Sequence, residues 1–139
     1  MRAEEARQRL ANARVATLAT VTEAGRPHVV PVTFAVDRDH LYIAVDAKPK
    51  TTRDLRRLRN IRADPRVAVL ADQYDEDWAR LWWVRADGRA AIIEDPARMA
   101  GPIARLAERY RPYQEDPPAG PLIDITVERW TGWAASPAG

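Results

Sequence analysis

The segment Asp46–Asp54, DAKPKTTRD, gathers more chemistry than any other stretch of the chain. It carries Lys48, Lys50 and Arg53, hydroxyls at Thr51 and Thr52, and Pro49 between the lysines. The sequence has 22 Lys+Arg residues, and its only two lysines both stand here. The segment joins the end of an apolar run to the start of a helical pattern. A helix start presents unpaired main-chain N–H groups and a partial positive charge, and these suit a phosphate. Lys50 and Arg53 add full charges, the threonines add donors, and Pro49 shapes the approach. The same residues also make an ordinary solvated basic loop with a threonine cap, and the segment alone leaves both readings open.

A second stretch, Pro27–Val32 (PHVVPV), reads as a strand interrupted by proline. Pro31 cannot donate a ladder hydrogen bond, so an edge or a bulge is expected there. Main-chain groups freed in this way can bond the rim of a planar heterocycle, although a proline-guarded edge strand accounts for them equally well. Tryptophan is the third feature: Trp78, Trp82, Trp83, Trp130 and Trp133. Trp82 and Trp83 are adjacent on a predicted strand and so face opposite ways. One can enter the core, while the other calls for a partner subunit, a cofactor ring or partial exposure.

Other constellations are thin. The chain has no cysteine and two histidines, His28 and His40, which excludes disulfides, thiolate metal sites, cysteine nucleophiles and histidine-rich metal centres. Ser136 is the only serine, and no Ser/His/Asp arrangement suggests itself. Asp75, Glu76 and Asp77 form an acidic run of the kind that is usually solvated, and no metal site is assigned. A net charge of +2 does not indicate a nucleic-acid binder. No apolar run approaches the length of a membrane span, and the charged N-terminal segment lacks a signal-peptide core, so a cytoplasmic protein is expected.

The elements that must position these residues follow from periodicity. Ala3–Ala13 predicts an amphipathic helix with Ala6, Leu10 and Ala13 near one face. Strands are expected at 15–22, 27–36 and 40–46, forming a meander, with Gly25 in the first turn. A helix over Thr51–Ala63 places Leu55, Leu58 and Ile61 together and ends at Asp64-Pro65. Arg66–Ala71 is the fourth strand, and Leu81–Ile93 is a long fifth strand or a pair around Asp87-Gly88. Pro96–Tyr110 predicts a helix weakened at Gly101-Pro102. A proline-rich loop at 111–121 then leads to a last strand at 122–133 and a tail at 135–139. One domain over 1–139 is expected, mainly β with short helices (α+β), built as a six-stranded antiparallel barrel.

With these elements placed, the run VATLATVTEAGRPHVVPVTFAVDRDHLYIAVDAKPKTTRDLRRLRNIRADPRVAVLADQ, continued by LWWVRADGRAAIIED and ITVERWTGWA, resembles the pyridoxamine-phosphate-oxidase-like superfamily. It looks most like the actinobacterial branch of flavin/deazaflavin reductases that use coenzyme F420. The resemblance implies a split β-barrel homodimer with cofactor sites at the subunit interface. It implies that His28, Val29, Val30, Pro31 and Val32 line the ring system. It further implies that Val45, Asp46, Lys48, Pro49, Lys50, Thr51, Thr52 and Arg53 hold the phosphate, with Lys50 as the phosphate lysine. Trp83, and in a more variable loop Trp78, resemble aromatics that approach the cofactor, Trp83 from either subunit. The activity implied is hydride transfer from reduced F420 to a small electrophilic substrate, with FMN as the alternative cofactor. A non-catalytic flavin or tetrapyrrole binder of the same fold is the other alternative. His28, Arg80 and Arg85 are candidate proton donors by residue type.

Overall fold

The computed structural model describes residues 1–45 and 52–136, with the side chains of 52–55 outside the description. Seven strands form one antiparallel sheet: β1 (Ala16–Val21), β2 (Pro27–Val32), β3 (Ala35–Asp37), β4 (His40–Ala44), β5 (Arg66–Gln73), β6 (Trp82–Ile93) and β7 (Leu122–Ala134). Their order across the sheet is β2-β1-β5-β6-β7-β4-β3. Four helices accompany them: α1 (Ala3–Asn12), α2 (Thr52–Ala63), α3 (Pro96–Arg109) and the short α4 (Arg111–Glu115).

The class is the expected one, but the strand count and the meander are corrected. The apolar run 27–36 is two strands, split at Thr33-Phe34, and its halves lie at opposite edges of the sheet. Pro31 pairs regularly with Thr17 in an edge strand, without a bulge. The Thr33-Phe34 link fixes the architecture. Three virtual bonds of about 3.8 Å reach at most about 11 Å. Laid flat, the outer strands of seven would stand about 29 Å apart, at roughly 4.8 Å per step. The sheet must therefore roll until its two edges nearly meet, leaving a seam between β2 and the β3–β4 pair.

Alternation along the strands then separates an inner from an outer face. The inner side holds Leu18, Val69, Val84, Ala86, Ile123 and Ile125, all buried. Ala6 and Leu10 of α1 and Leu58 and Ile61 of α2 complete this core. A second cluster lies under α3, where Met99, Leu106 and Tyr110 meet Ala35, Ala44, Ile93 and Leu122. β6 is one continuous strand, with a register shift against β7 at Asp87/Gly88. Gly88 is required there, because a Cβ would stand 2.2 Å from the Thr126 carbonyl oxygen. Pro102 sits inside α3, which continues through it, and the proline-rich segment begins with α4 rather than a loop.

Candidate functional site

A pocket of about 320 Å³ opens at the seam of the rolled sheet. Pro31, Val32 and Thr33 form one wall, from the end of β2. Ile43 and Ala44, at the end of β4, form another, and Val15 precedes β1. Among the described residues, Arg57 of α2 supplies the one cation of the lining, and Tyr113 of α4 supplies the aromatic ring. An apolar slot with few convergent polar groups suits a flat organic ligand that carries a negative charge at the Arg57 end.

The anchoring of α2 explains where Arg57 stands. Asn60 and Thr20 are buried polar residues, and the Asn60 amide donates to Thr20 Oγ1 at 3.0 Å. This bond fixes the helix against β1. Arg57 lies three and four residues before Asn60 and Ile61, on the same side of α2, and so is carried to the sheet. The arginines at 56, 59 and 62 look identical in type but are turned away and exposed.

Strand alternation sorts the residues of 28–32 into two groups. His28, Val30 and Val32 point inward, while Val29 (62% exposed) and Pro31 belong to the outer face. His28 pairs with Thr20, and its Nδ1 is buried without a hydrogen-bond partner among the described residues. A buried orphan nitrogen beside the α2 anchor is a group that a ligand heteroatom can satisfy. Val30 packs against the main core and Val45 lies within it, directly after the pocket residue Ala44. Asp46, Lys48, Pro49, Lys50 and Thr51 lie outside the described residues. Thr52 and Arg53 form the first turn of α2, so that helix starts immediately beyond this basic segment.

The tryptophans are elsewhere. Trp82 packs against the main core beneath Arg9, whose guanidinium carbon is 5.3 Å from the ring centroid. Trp83 takes the outer face, between Asp72 of β5 and Trp133 of β7, with Arg85 5.7 Å over its ring. Arg85 also pairs with Asp87 at 3.0 Å. Trp78, 67% exposed, opens a single 3-10 turn capped by Asp77. Arg80 ends that turn, pairs with Asp75 at 3.3 Å and lines a separate cavity of about 250 Å³ with Arg9, Gln73 and Trp82. Within one chain, the seam pocket thus brings together the ends of β2 and β4 with α2, and of the expected site residues His28, Val29, Val30, Val45, Trp78 and Trp83 are not among its lining residues.

Sequence reasoning missed six of the lining residues, the apolar Val15, Ile43 and Ala44 and the polar Thr33, Arg57 and Tyr113. The helical phase of Arg57 relative to Leu58 and Ile61 was the one signal for it. For Tyr113 there was none, since five residues of helix carry no readable periodicity.

Comparison with known proteins agrees with this fold. The family model described as pyridoxamine 5'-phosphate oxidase matches residues 3–134. No curated protein matches the chain. Among solved structures, a conserved hypothetical protein of Mycobacterium tuberculosis is 24% identical with a TM-score of 0.75, covering 97% of this chain and 86% of that one. A FAD-binding protein of Mesorhizobium loti is 25% identical with a TM-score of 0.72, covering 95% and 94%. The heme storage protein HutZ of Vibrio cholerae is 19% identical with a TM-score of 0.69, covering 94% and 90%. The fold is that of the split barrels. Among the described residues, no helix is long and apolar enough to cross a membrane.

Proposed function

The chain belongs to the pyridoxamine 5'-phosphate oxidase family, and we propose that it is an oxidoreductase that binds a phosphorylated redox cofactor, coenzyme F420, at the seam pocket. The observation that carries this reading is the pocket itself. Apolar walls from β2 and β4 suit a flat ring system, and Arg57 belongs to the helix that begins just past Lys48–Thr51. Lys50, Thr51, Thr52 and Arg53 would hold the phosphate, because charge, hydroxyls and a helix start meet in that segment.

When bound, the cofactor supplies the hydride chemistry, so the chain needs no triad of its own. The residues of this chain bind, orient and exclude water. Val15, Pro31, Val32, Ile43 and Ala44 would present apolar surface to the ring. Arg57 opposes the negative end of the ligand.

A volume of about 320 Å³ stands at the lower end for ligand pockets, small for a cofactor and a substrate together. A second copy of the chain would supply the missing wall. The outer face of β2-β1-β5-β6-β7 supports this. Register alignment runs Pro31, Thr17, Leu70, Arg85 and Thr131 across it in one row, with Trp83 and Trp133 side by side in the next. Leu70 is 41% and Trp133 48% exposed, which makes an apolar face suited to pairing with another like it.

FMN is the second reading, favoured by the likeness to the FAD-binding protein of M. loti. Titration with oxidised F420 and, separately, FMN, followed by tryptophan fluorescence, tests both. Quenching at low concentration by F420 alone supports the deazaflavin assignment. Preference for FMN moves the function to a flavin enzyme. Silence with both, or a Soret band on addition of haemin, overturns the redox-cofactor reading.

A further inference from the structure

We infer that Tyr113 determines which substrate the pocket accepts, donating a hydrogen bond to a carbonyl-type oxygen on a flat apolar molecule such as a quinone or an enone. The inference deepens the proposed function, because it assigns a ligand class to the same pocket.

The connection between β6 and β7 is the first ground for it. These strands pair along their whole length, down to Ile93↔Leu122. A hairpin of a few residues would close them. The chain instead leaves at Glu94, builds α3 and α4, and returns at Pro121. The far end of this excursion is tied to the two segments that flank the pocket. Arg109 donates to the carbonyls of Ala13 and Phe34, the latter at 2.6 Å. The Tyr110 hydroxyl donates to the Arg14 carbonyl at 3.0 Å and accepts from the Phe34 N–H at 3.2 Å. Arg14 in turn donates to the Arg109 carbonyl at 2.7 Å. Arg109 also lies 5.0 Å over the Phe34 ring, and burial lowers its pKa from the ordinary value. Such anchoring is more than a simple crossing needs. Its result is that Tyr113, one turn further on, stands at the pocket facing Thr33.

The chemistry of that placement is specific. Thr33 Oγ1 and Tyr113 Oη are 3.0 Å apart. Two hydroxyls carry two protons, and their mutual bond uses one. The other proton has no acceptor among the described residues and is open to a ligand. The walls around the pair are apolar, so a ligand without an acceptor leaves this proton unsatisfied, while a carbonyl-bearing one of the same shape satisfies it. Arg57 engages the charged end of the pocket and is not needed for this discrimination.

Two probes of nearly equal shape test the inference: menadione, which has two carbonyl oxygens, and 2-methylnaphthalene, which has none. Their equilibrium binding is read by tryptophan fluorescence, with the thermal midpoint of each variant recorded alongside. Wild-type protein is expected to bind menadione roughly tenfold more tightly, about the worth of one neutral hydrogen bond. Tyr113→Phe should cut that preference several-fold, Thr33 remaining as the weaker donor, and leave 2-methylnaphthalene binding unchanged. Thr33→Val, a second variant should the first fail to fold, should weaken menadione in the same direction. Equal loss of both probes would show a structural role and overturn the inference, as would an unchanged preference in both variants. So would a loss of cofactor affinity in Tyr113→Phe as large as the loss of menadione, since Tyr113 would then serve the cofactor. The probe comparison needs no cofactor. Wild-type protein that binds neither F420 nor FMN but keeps the menadione preference refutes the cofactor reading alone.

Discussion

The Asn60 side-chain amide donates to Thr20 Oγ1 at 3.0 Å, joining α2 to β1 through a polar pair buried inside an apolar core. Removing one partner strands the other without water. Asn60→Leu is expected to cost about 1–3 kcal/mol. Adding Thr20→Val should recover part of that loss, because both groups are then apolar and of similar shape. Urea unfolding of the two single variants and the double gives the coupling directly, and strict additivity would show that the bond contributes nothing.

Two glycines make different predictions. At Gly88 a Cβ would meet the Thr126 carbonyl at 2.2 Å, a main-chain atom in the neighbouring strand. Gly88→Ala should therefore force the β6–β7 ladder apart and cost about 3 kcal/mol or more. Gly101 lies within α3, and a Cβ added there would meet nothing within 4 Å. The proline ring of Pro102 disfavours a Cβ on the residue before it in helical backbone, which offsets the usual gain of Gly→Ala, so Gly101→Ala should change stability by less than about 1 kcal/mol. A Gly88→Ala midpoint as high as that of the wild type would contradict the register at the bulge.

Acid should remove one defined contribution. Asp64 accepts from the Arg66 guanidinium at 3.0 and 2.7 Å and from the Arg66 main-chain N–H at 3.0 Å, and its pKa is lowered to about 2 by these bonds. A carboxylate depressed in the folded state contributes stability above its unfolded value near 3.8, and that contribution fades as pH falls through about 2. Asp64→Asn should flatten stability against pH over that window and leave the slope above about pH 5 unchanged.

Arg57 and Lys50 should both matter to an anionic cofactor, for different reasons. Arg57 lines the seam pocket, and Arg57→Gln is expected to weaken F420 or FMN binding roughly tenfold, with a shallower salt dependence than wild type. Lys50→Ala should weaken binding as well, because Lys50 stands in the basic segment that leads into α2. Isothermal titration at two ionic strengths reads both, and unchanged affinity removes the residue from the site.

The outer sheet face should govern self-association. Leu70→Glu replaces the exposed leucine at the centre of this face with a charge. Sedimentation velocity is expected to show a dimer for wild type and a shift toward monomer for the variant. An identical distribution for the two proteins would move the interface elsewhere.

Much of this fold was legible in the sequence because the strands alternate and α2 has a clear apolar phase. The break at Thr33-Phe34 was not. Phe34 and Ala35 are buried like the strand residues before them, so the apolar pattern runs straight through the point where the chain crosses from one edge of the sheet to the other. The chemical content of the pocket was partly legible. Pro31 and Val32 stood out through proline in a strand, whereas Arg57 was one arginine among many, and only its phase against Asn60 and Ile61 separates it. Tyr113 depends on long-range ties, from Arg109 to Ala13 and from Tyr110 to Phe34, which no local pattern encodes.

β7 comes last among the elements in chain order, yet it lies between β6 and β4 in the interior of the sheet. On a ribosome, the β3–β4 hairpin must therefore wait, its long edge without a neighbour, until Leu122–Ala134 has emerged. Most of the sheet's closure is then decided at once and late in synthesis, which gives slow, highly cooperative folding from widely separated contacts. A premature stop anywhere before Leu122 would leave both halves of the sheet open to chaperones and proteases, and no stable smaller version of the barrel would be left behind.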